Sequence, residues 1–90
     1  MKNFDAVSGA KIAVNKEWSL LTLGADGISA LDVKATNRVG ETLRPIAIIN
    51  TKNYAKAESV TADGLYMVAV VGMQEVQINF TGGTVTVQAV

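Results

Sequence analysis

The end of the chain alternates between apolar and polar residues more regularly than any other part of it. Apolar side chains fall on every second residue of 75–80, and the same alternation returns in 84–90. Successive side chains of a β-strand point to opposite faces, so this period predicts two half-buried strands. Their shared buried face is expected to comprise Val76, Ile78, Phe80, Val85 and Val87. Between the strands, Gly82 and Gly83 predict a tight hairpin, because glycine supplies the positive φ angles of such turns.

A second hairpin is predicted around Asp26 and Gly27. This dipeptide is a strong turn signal, and strand-like runs at 18–23 and 28–33 flank it. The same Ala-Asp-Gly turn recurs at 62–64, directly before another apolar run. Both occurrences predict a turn followed by a strand.

The middle of the chain predicts weaker strands. Residues 43–51 form a strand-like run with Pro45 near its start. Proline lacks a backbone donor, so the strand is expected to begin at a sheet edge or to enter the sheet only after Pro45. The polar stretch 50–58 is expected to be a loop or a weak edge strand. Residues 65–71 are apolar throughout, which favours a strand buried on both faces, in a sandwich interior or at a subunit contact.

These patterns together predict an all-β fold, since β-branched residues and alternation dominate and no amphipathic helix is evident. We expect a small antiparallel β-sandwich or jelly-roll-like domain of about six to eight short strands. Ninety residues suit a single domain, 1–90, in which 1–9 is a candidate N-terminal arm.

Composition indicates how such a small fold is stabilised. The chain is 49% hydrophobic with a mean hydropathy of +0.27, and it contains neither cysteine nor histidine. A disulfide or an ordinary zinc site is therefore excluded, and self-association is the stabilising device that remains. We expect a homo-oligomer, with a trimer as one candidate.

The same composition limits the chemistry. General acid–base catalysis most often uses histidine, and nucleophilic triads pair a serine or cysteine with such a base. A carboxylate pair formed by Asp26 and Asp63 is conceivable, although turn residues of this kind are usually structural. Calcium binding by these two and Asp32 would require more oxygen ligands than their spacing offers. We therefore expect no enzyme, and no catalytic, cofactor or metal site.

Charge bears on the choice of partner. Eight basic residues balance eight acidic ones, which argues against nucleic acid as a partner. A local basic excess in the middle of the chain is expected to be a solvated face; it comprises Lys34, Arg38, Arg44, Lys52 and Lys56 against Glu41. No apolar run is long enough for a membrane span, and the charged N-terminus indicates no Sec signal peptide. We expect synthesis in the cytoplasm, with export only by a route other than Sec.

Two aromatic residues are candidates for ligand or partner contact. Trp18 and Tyr54 have polar sequence neighbours, and exposed aromatic rings on one face can stack against a sugar. Packing in the core or burial in an oligomer is the alternative for both. A glycan is accordingly a less favoured ligand.

Residues 60–78, VTADGLYMVAVVGMQEVQI, resemble a sequence pattern found in small structural proteins of tailed bacteriophages. In those proteins an Asp-Gly or Asn-Gly turn with a following tyrosine precedes an apolar strand, a glycine bend and an alternating strand. The resemblance covers roughly a fifth of the chain and implies a head-fibre, capsid-decoration or tail-associated β-sandwich located in the virion. β-Sandwich domains of carbohydrate-binding modules can produce similar strings.

Three functions remain open at this point. The first is a non-catalytic virion protein that docks on a capsid or tail protein through self-association and β-edge contacts. Its expected docking elements are the strand at 43–51 and the arm at 1–9. The second is a carbohydrate- or ligand-binding module, and the third is a subunit of a non-viral assembly.

Overall fold

The computed structural model describes residues 2–90, which fold into two antiparallel sheets with the core between them. In chain order the strands are β1 (Lys2–Asp5), β2 (Lys11–Ala13), β3 (Leu20–Asp26), β4 (Ala30–Thr36), β5 (Arg44–Pro45), β6 (Ile48–Asn50), β7 (Lys56–Ala57), β8 (Ser59–Val60), β9 (Gly64–Ala69), β10 (Glu75–Thr81) and β11 (Thr84–Ala89). One sheet has the order β1-β11-β3-β9-β6-β7, and the other has the order β2-β10-β4-β5, with β8 also pairing with β4. The all-β sandwich is confirmed, and the strands of two or three residues raise the strand count above the predicted range.

The core consists of the inward-pointing residues of both sheets. Alternate residues of β3 and β4 are buried, as in Leu21, Leu23 and Val33. The face predicted from the C-terminal alternation is correct: Val76, Ile78, Val85 and Val87 are buried, and Phe80 packs against them half-buried.

The predicted C-terminal hairpin is wrong. β10 pairs with β2 and β4 in the five-stranded sheet, whereas β11 pairs with β1 and β3 in the six-stranded sheet. Gly82 and Gly83 do adopt positive φ angles, but they carry the chain from one sheet to the other. The same correction applies to Asp26 and Gly27, which join β3 to β4 across the sandwich. A corner between sheets needs the same glycine conformations as a hairpin, so local sequence does not distinguish the two.

The two corners lie side by side. β3 and β11 are paired as far as Asp26 opposite Thr84, and the pairing resumes between β4 and β10 with Ala30 opposite Thr81. Between these points the N–H of Ser29 donates to the carbonyl of Thr81 over 2.8 Å. β3 and β4 thus form one long strand that pairs antiparallel with the long strand formed by β10 and β11. This two-stranded ribbon bends at the two corners, so that one half lies in each sheet.

The strand predicted at 43–51 is split between the sheets. β5 places Pro45 at the edge of the five-stranded sheet, which confirms the expected edge position, and β6 then joins the other sheet. The weak edge strand predicted within 50–58 is β7. The prediction that 65–71 is buried on both faces is wrong for the single chain, because the core lies on only one side of β9 and Leu65 is exposed on the other. Burial of that second side at a subunit contact stays a prediction.

The segment predicted as a candidate arm is part of the sandwich. Met1 lies outside the described residues, and β1 pairs with β11 along the whole of Lys2–Asp5. The chain then crosses to the other sheet, where the N–H of Gly9 donates to the carbonyl of Ile78 over 3.0 Å. Phe4 and Ala6 pack against the core, which accounts for the docked rather than free position of this segment.

Candidate functional site

The outward side of the six-stranded sheet is a broad surface, here called the outer face. Residues directly opposite one another on antiparallel strands share a face. One row crosses all six strands and comprises Asn3, Gln88, Thr22, Met67, Ile49 and Lys56. A second row comprises Asp5, Thr86, Gly24 and Leu65. Charge on these rows is confined to the two edge strands, with Asp5 on β1 and Lys56 on β7.

The outward side of the five-stranded sheet differs in chemistry. Lys11, Gln77 and Lys34 form one row across β2, β10 and β4, and the neighbouring positions carry Glu75 and Asp32. Charged residues therefore occupy the strand interiors of this sheet. The two sides of the sandwich are not equivalent, and the six-stranded side is the one suited to contact with an uncharged surface.

The outer face is apolar along β9. Leu65 is 51% exposed, and Met67 and Ala69 follow it on the same side of the strand. Just beyond the strand, Val71 is 68% exposed. Residues 65–71 are apolar throughout, so the side chains that do not enter the core remain in contact with water. Large exposed apolar side chains grouped in this way are typical of contact surfaces.

A hollow of about 460 Å³ interrupts the outer face where β3 carries Gly24. A Cβ added to Gly24 would lie 2.9 Å from the Thr86 hydroxyl oxygen, so the absence of a side chain there helps to create the space. Besides Gly24, its lining includes Asn3, Asp5, Thr22, Leu65, Thr86 and Gln88. Amides, hydroxyls and one carboxylate therefore surround an apolar leucine, a set of groups able to bind a neutral, hydroxyl-bearing molecule.

A second concave region lies beside β4 and β5. This cleft of about 470 Å³ is lined by Arg38, Glu41, Arg44 and Met73, among others. Two residues of the basic stretch noted in the sequence, Arg38 and Arg44, line this cleft. Lys52 and Lys56 belong instead to the β6–β7 end of the other sheet, so the stretch is divided between the two sheets.

The two aromatic candidates are not brought together. Trp18 is half-buried and stacks on Phe4 of β1, with ring centroids 6.4 Å apart and an interplanar angle of 23°. Tyr54 is 70% exposed in the turn between β6 and β7, where its φ is +57°. β1 and β7 form opposite edges of the six-stranded sheet, so these rings do not form one sugar-stacking platform.

Asp63 has a structural contact. One of its carboxylate oxygens, Oδ1, accepts a hydrogen bond from the backbone N–H of Ile28 over 3.0 Å. Asp32 on β4 accepts a weaker bond, 3.3 Å, from the Asn79 amide. Within residues 2–90 no group of three or more acidic side chains is arranged to hold a metal ion. In the same range no helix is long and apolar enough to cross a membrane.

Sequence reasoning missed the outer face and its hollow. Two signals pointed to them: the unbroken apolar run at 65–71, and a glycine in the middle of the strand at 20–26. A glycine inside a strand often marks a close approach or an open space above the sheet. Which residues surround Gly24 depends on the pairing of β1, β3, β9 and β11, which is not a local property.

The chain is a two-sheet antiparallel β-sandwich protein, and its fold recurs in a protein of phage origin. The crystal structure of the SPBc2 prophage-derived protein YomS matches it with a TM-score of 0.74. The alignment covers 96% of this chain and 87% of that chain, at 18% sequence identity. No protein-family model and no curated protein sequence matches the chain. At this identity the likeness establishes a shared fold.

Proposed function

We propose that this chain is a non-catalytic structural or accessory protein of a tailed-phage particle. In this function it associates with copies of itself and docks on a capsid or tail protein. The observation that carries the proposal is the outer face, which is apolar along β9 and which carries charge in the two rows described above only on the edge strands β1 and β7. The phage-like sequence pattern at 60–78 and the fold shared with a prophage-derived protein support a phage origin.

The apolar part of the outer face suits docking without catalysis. Leu65 and Val71 together place two large apolar side chains in water. Removing apolar surface from water stabilises an association by about 25 cal/mol per Å². A protein that acts only by binding needs such a surface and a rigid scaffold behind it, and the sandwich supplies both.

Incorporation into particles tests the proposal. Phage particles produced by a host that carries the gene would be purified by density gradient, and the chain would be quantified in them by mass spectrometry. We expect a fixed copy number per particle. Leu65→Lys should lower that number at least several-fold, because it places a charge on the apolar part of the outer face.

The matched control is Ala30→Lys. Ala30 is also an exposed strand residue, but it lies on the five-stranded sheet. This variant should be incorporated like the natural chain. Absence of the chain from purified particles would overturn the virion role, and equal loss for both variants would overturn the outer face as the docking surface.

A carbohydrate- or ligand-binding function is the second candidate, and the hollow at Gly24 favours it. Asn3 and Thr22 present an amide and a hydroxyl there, and Leu65 offers an apolar surface for the C–H side of a sugar ring. Amide chemical shifts recorded while a panel of neutral oligosaccharides is added would test it. Shifts around Gly24 that disappear in Gly24→Ala would support this function, and unchanged spectra across the panel would exclude it for those sugars.

A further inference from the structure

β1 is the least obstructed edge of the sandwich. β5, β7 and β8 have two residues each, β5 includes Pro45, and β2 has three residues. β1 has four, contains no proline, and pairs with β11 on one side only. An unobstructed edge strand presents free backbone donors and acceptors to another strand.

The backbone groups on the open side of β1 belong to Asn3 and Asp5. The N–H of Ala6 donates to the carbonyl of Val85 over 2.9 Å, so Ala6 belongs to the set of residues that bond to β11. In an antiparallel pair this role falls on every second residue. Lys2 and Phe4 therefore also face β11, and the N–H and C=O groups of Asn3 and Asp5 point away from it.

We propose that two copies of this chain pair antiparallel through β1 and form a continuous twelve-stranded sheet. The inference rests on the self-association in the proposed function and specifies its surface. The two-fold axis that relates the two β1 strands is perpendicular to the sheet. Each side chain therefore lies opposite a side chain that points to the same face of the joined sheet. Asn3 then lies opposite the second copy's Asp5, and Phe4 lies opposite the second copy's Phe4.

This register uses the free backbone groups of both copies. Each of the two Asn3–Asp5 pairs exchanges two backbone hydrogen bonds. A shift by two residues in one direction would instead place the two Asp5 carboxylates opposite each other, and like charges in that position are destabilising. A shift in the other direction would place the two Asn3 residues opposite each other, and theirs would be the one hydrogen-bonded pair among the described residues.

The side chains of β1 also suit this pairing. Phe4 is half-buried at the inner side of the edge and stacks on Trp18, which is itself only half-buried. In the pair, the two phenyl rings would become cross-strand neighbours and cover each other. Aromatic cross-strand pairs stabilise antiparallel sheets. The outer faces of the two copies would also join into one surface.

Substitution at Asn3 tests the backbone contact. Asn3→Pro removes one outward-pointing N–H and no bond to β11, and proline is tolerated where the N–H side of an edge strand faces solvent. Asn3→Ala is the matched control, because it keeps that N–H. By sedimentation velocity over a range of concentrations, we expect the natural chain and Asn3→Ala to dimerise alike. The Asn3→Pro dimer should be about tenfold weaker or more, since it loses a hydrogen bond from each copy.

A cysteine substitution tests the register even if proline disturbs folding. The chain has no cysteine of its own, so a single introduced thiol can only join two copies. Opposite residues of a non-hydrogen-bonded pair have Cα atoms about 4.5 Å apart, within the range that a disulfide spans. Phe4→Cys should therefore form a covalent dimer on mild oxidation, and Asn3→Cys should do so several-fold less.

The outcomes separate this inference from the proposed function. A multimer that persists in Asn3→Pro and does not cross-link through position 4 would overturn the β1 pairing alone. A chain that stays monomeric at all concentrations would overturn both the pairing and the self-association. Cross-linking at position 4 together with loss of the dimer in Asn3→Pro, but not in Asn3→Ala, would establish the pairing.

Discussion

The backbone N–H of Ile28 donates a hydrogen bond to the carboxylate of Asp63 over 3.0 Å, although the two residues are 35 positions apart. Ile28 lies in the corner between β3 and β4 and is only 8% exposed. Asp63 lies in the turn that leads into β9. The contact therefore attaches the β3–β4 corner to the turn before β9. It also gives a hydrogen-bond acceptor to the N–H of Ile28, which lies between the two strands.

Removing this acceptor should destabilise the fold. We expect Asp63→Ala to lower the free energy of unfolding by about 1–2 kcal/mol, because it leaves the N–H of a buried residue without its partner. Asp63→Asn should retain most of the stability, since its amide oxygen can still accept. Urea denaturation followed by circular dichroism measures both. Asp26→Ala is the control: Asp26 occupies the other Ala-Asp-Gly turn, and a loss equal to that of Asp63→Ala would contradict the role of the bond.

The contact between the two corners predicts a large effect at Gly83. Its φ is +59°, and a Cβ there would collide with the carbonyl oxygen of Asp26. Gly83→Ala should therefore cost at least about 3 kcal/mol, through both backbone strain and overpacking. Gly40 has a φ of +85° but no atom within 4 Å of its added Cβ. Gly40→Ala should cost only about 1 kcal/mol, and equal midpoints in thermal melts of the two variants would contradict the collision.

These corners show how far the sequence determines the fold. The strands and their buried sides were predictable, because alternation in 75–80 and 84–90 is a local pattern. The pairing was not, because β3 joins β11 and β4 joins β10 across long stretches of chain. A glycine turn such as Gly82-Gly83 is equally compatible with a hairpin and with a corner between sheets.

The site was predictable only in part. The apolar run at 65–71 predicts burial on both faces of the strand, whereas Leu65 and Val71 are exposed in the single chain. The hollow at Gly24 forms from four strands that are distant in sequence. The polar sequence neighbours of Trp18 and Tyr54 are a local property, and they carry no information on how far apart the two rings lie in the fold.

The C-terminal alternation predicts a strong effect at Ile78. This side chain is fully buried between the sheets, so Ile78→Asp would bury an unpaired charge and should prevent folding. Ala30→Asp introduces the same charge at an exposed position of β4, opposite the uncharged Thr81, and should change stability by less than about 1 kcal/mol. The proton NMR spectrum of each variant provides the measurement. A dispersed, native-like spectrum for Ile78→Asp would show that the strand register is wrong.

Tyr54 holds a backbone conformation that favours glycine. With a φ of +57° it is the single non-glycine residue in the described part of the chain with a positive φ. Its N–H donates to the carbonyl of Asn50 over 2.8 Å and closes the turn between β6 and β7. We expect Tyr54→Gly to raise the free energy of unfolding by about 0.5–1 kcal/mol, because glycine adopts this conformation without steric cost.

Tyr54→Ala is the matched control for this prediction. Alanine also removes the exposed ring but keeps the Cβ and its strain, so its stability should stay close to that of the natural chain. Urea denaturation of the three chains under identical conditions gives the comparison. A midpoint for Tyr54→Gly no higher than that for Tyr54→Ala would contradict strain at this position. Since the ring is largely exposed, a stabilised Tyr54→Gly with reduced incorporation into phage particles would indicate that Tyr54 is retained for contact with a partner at the cost of stability.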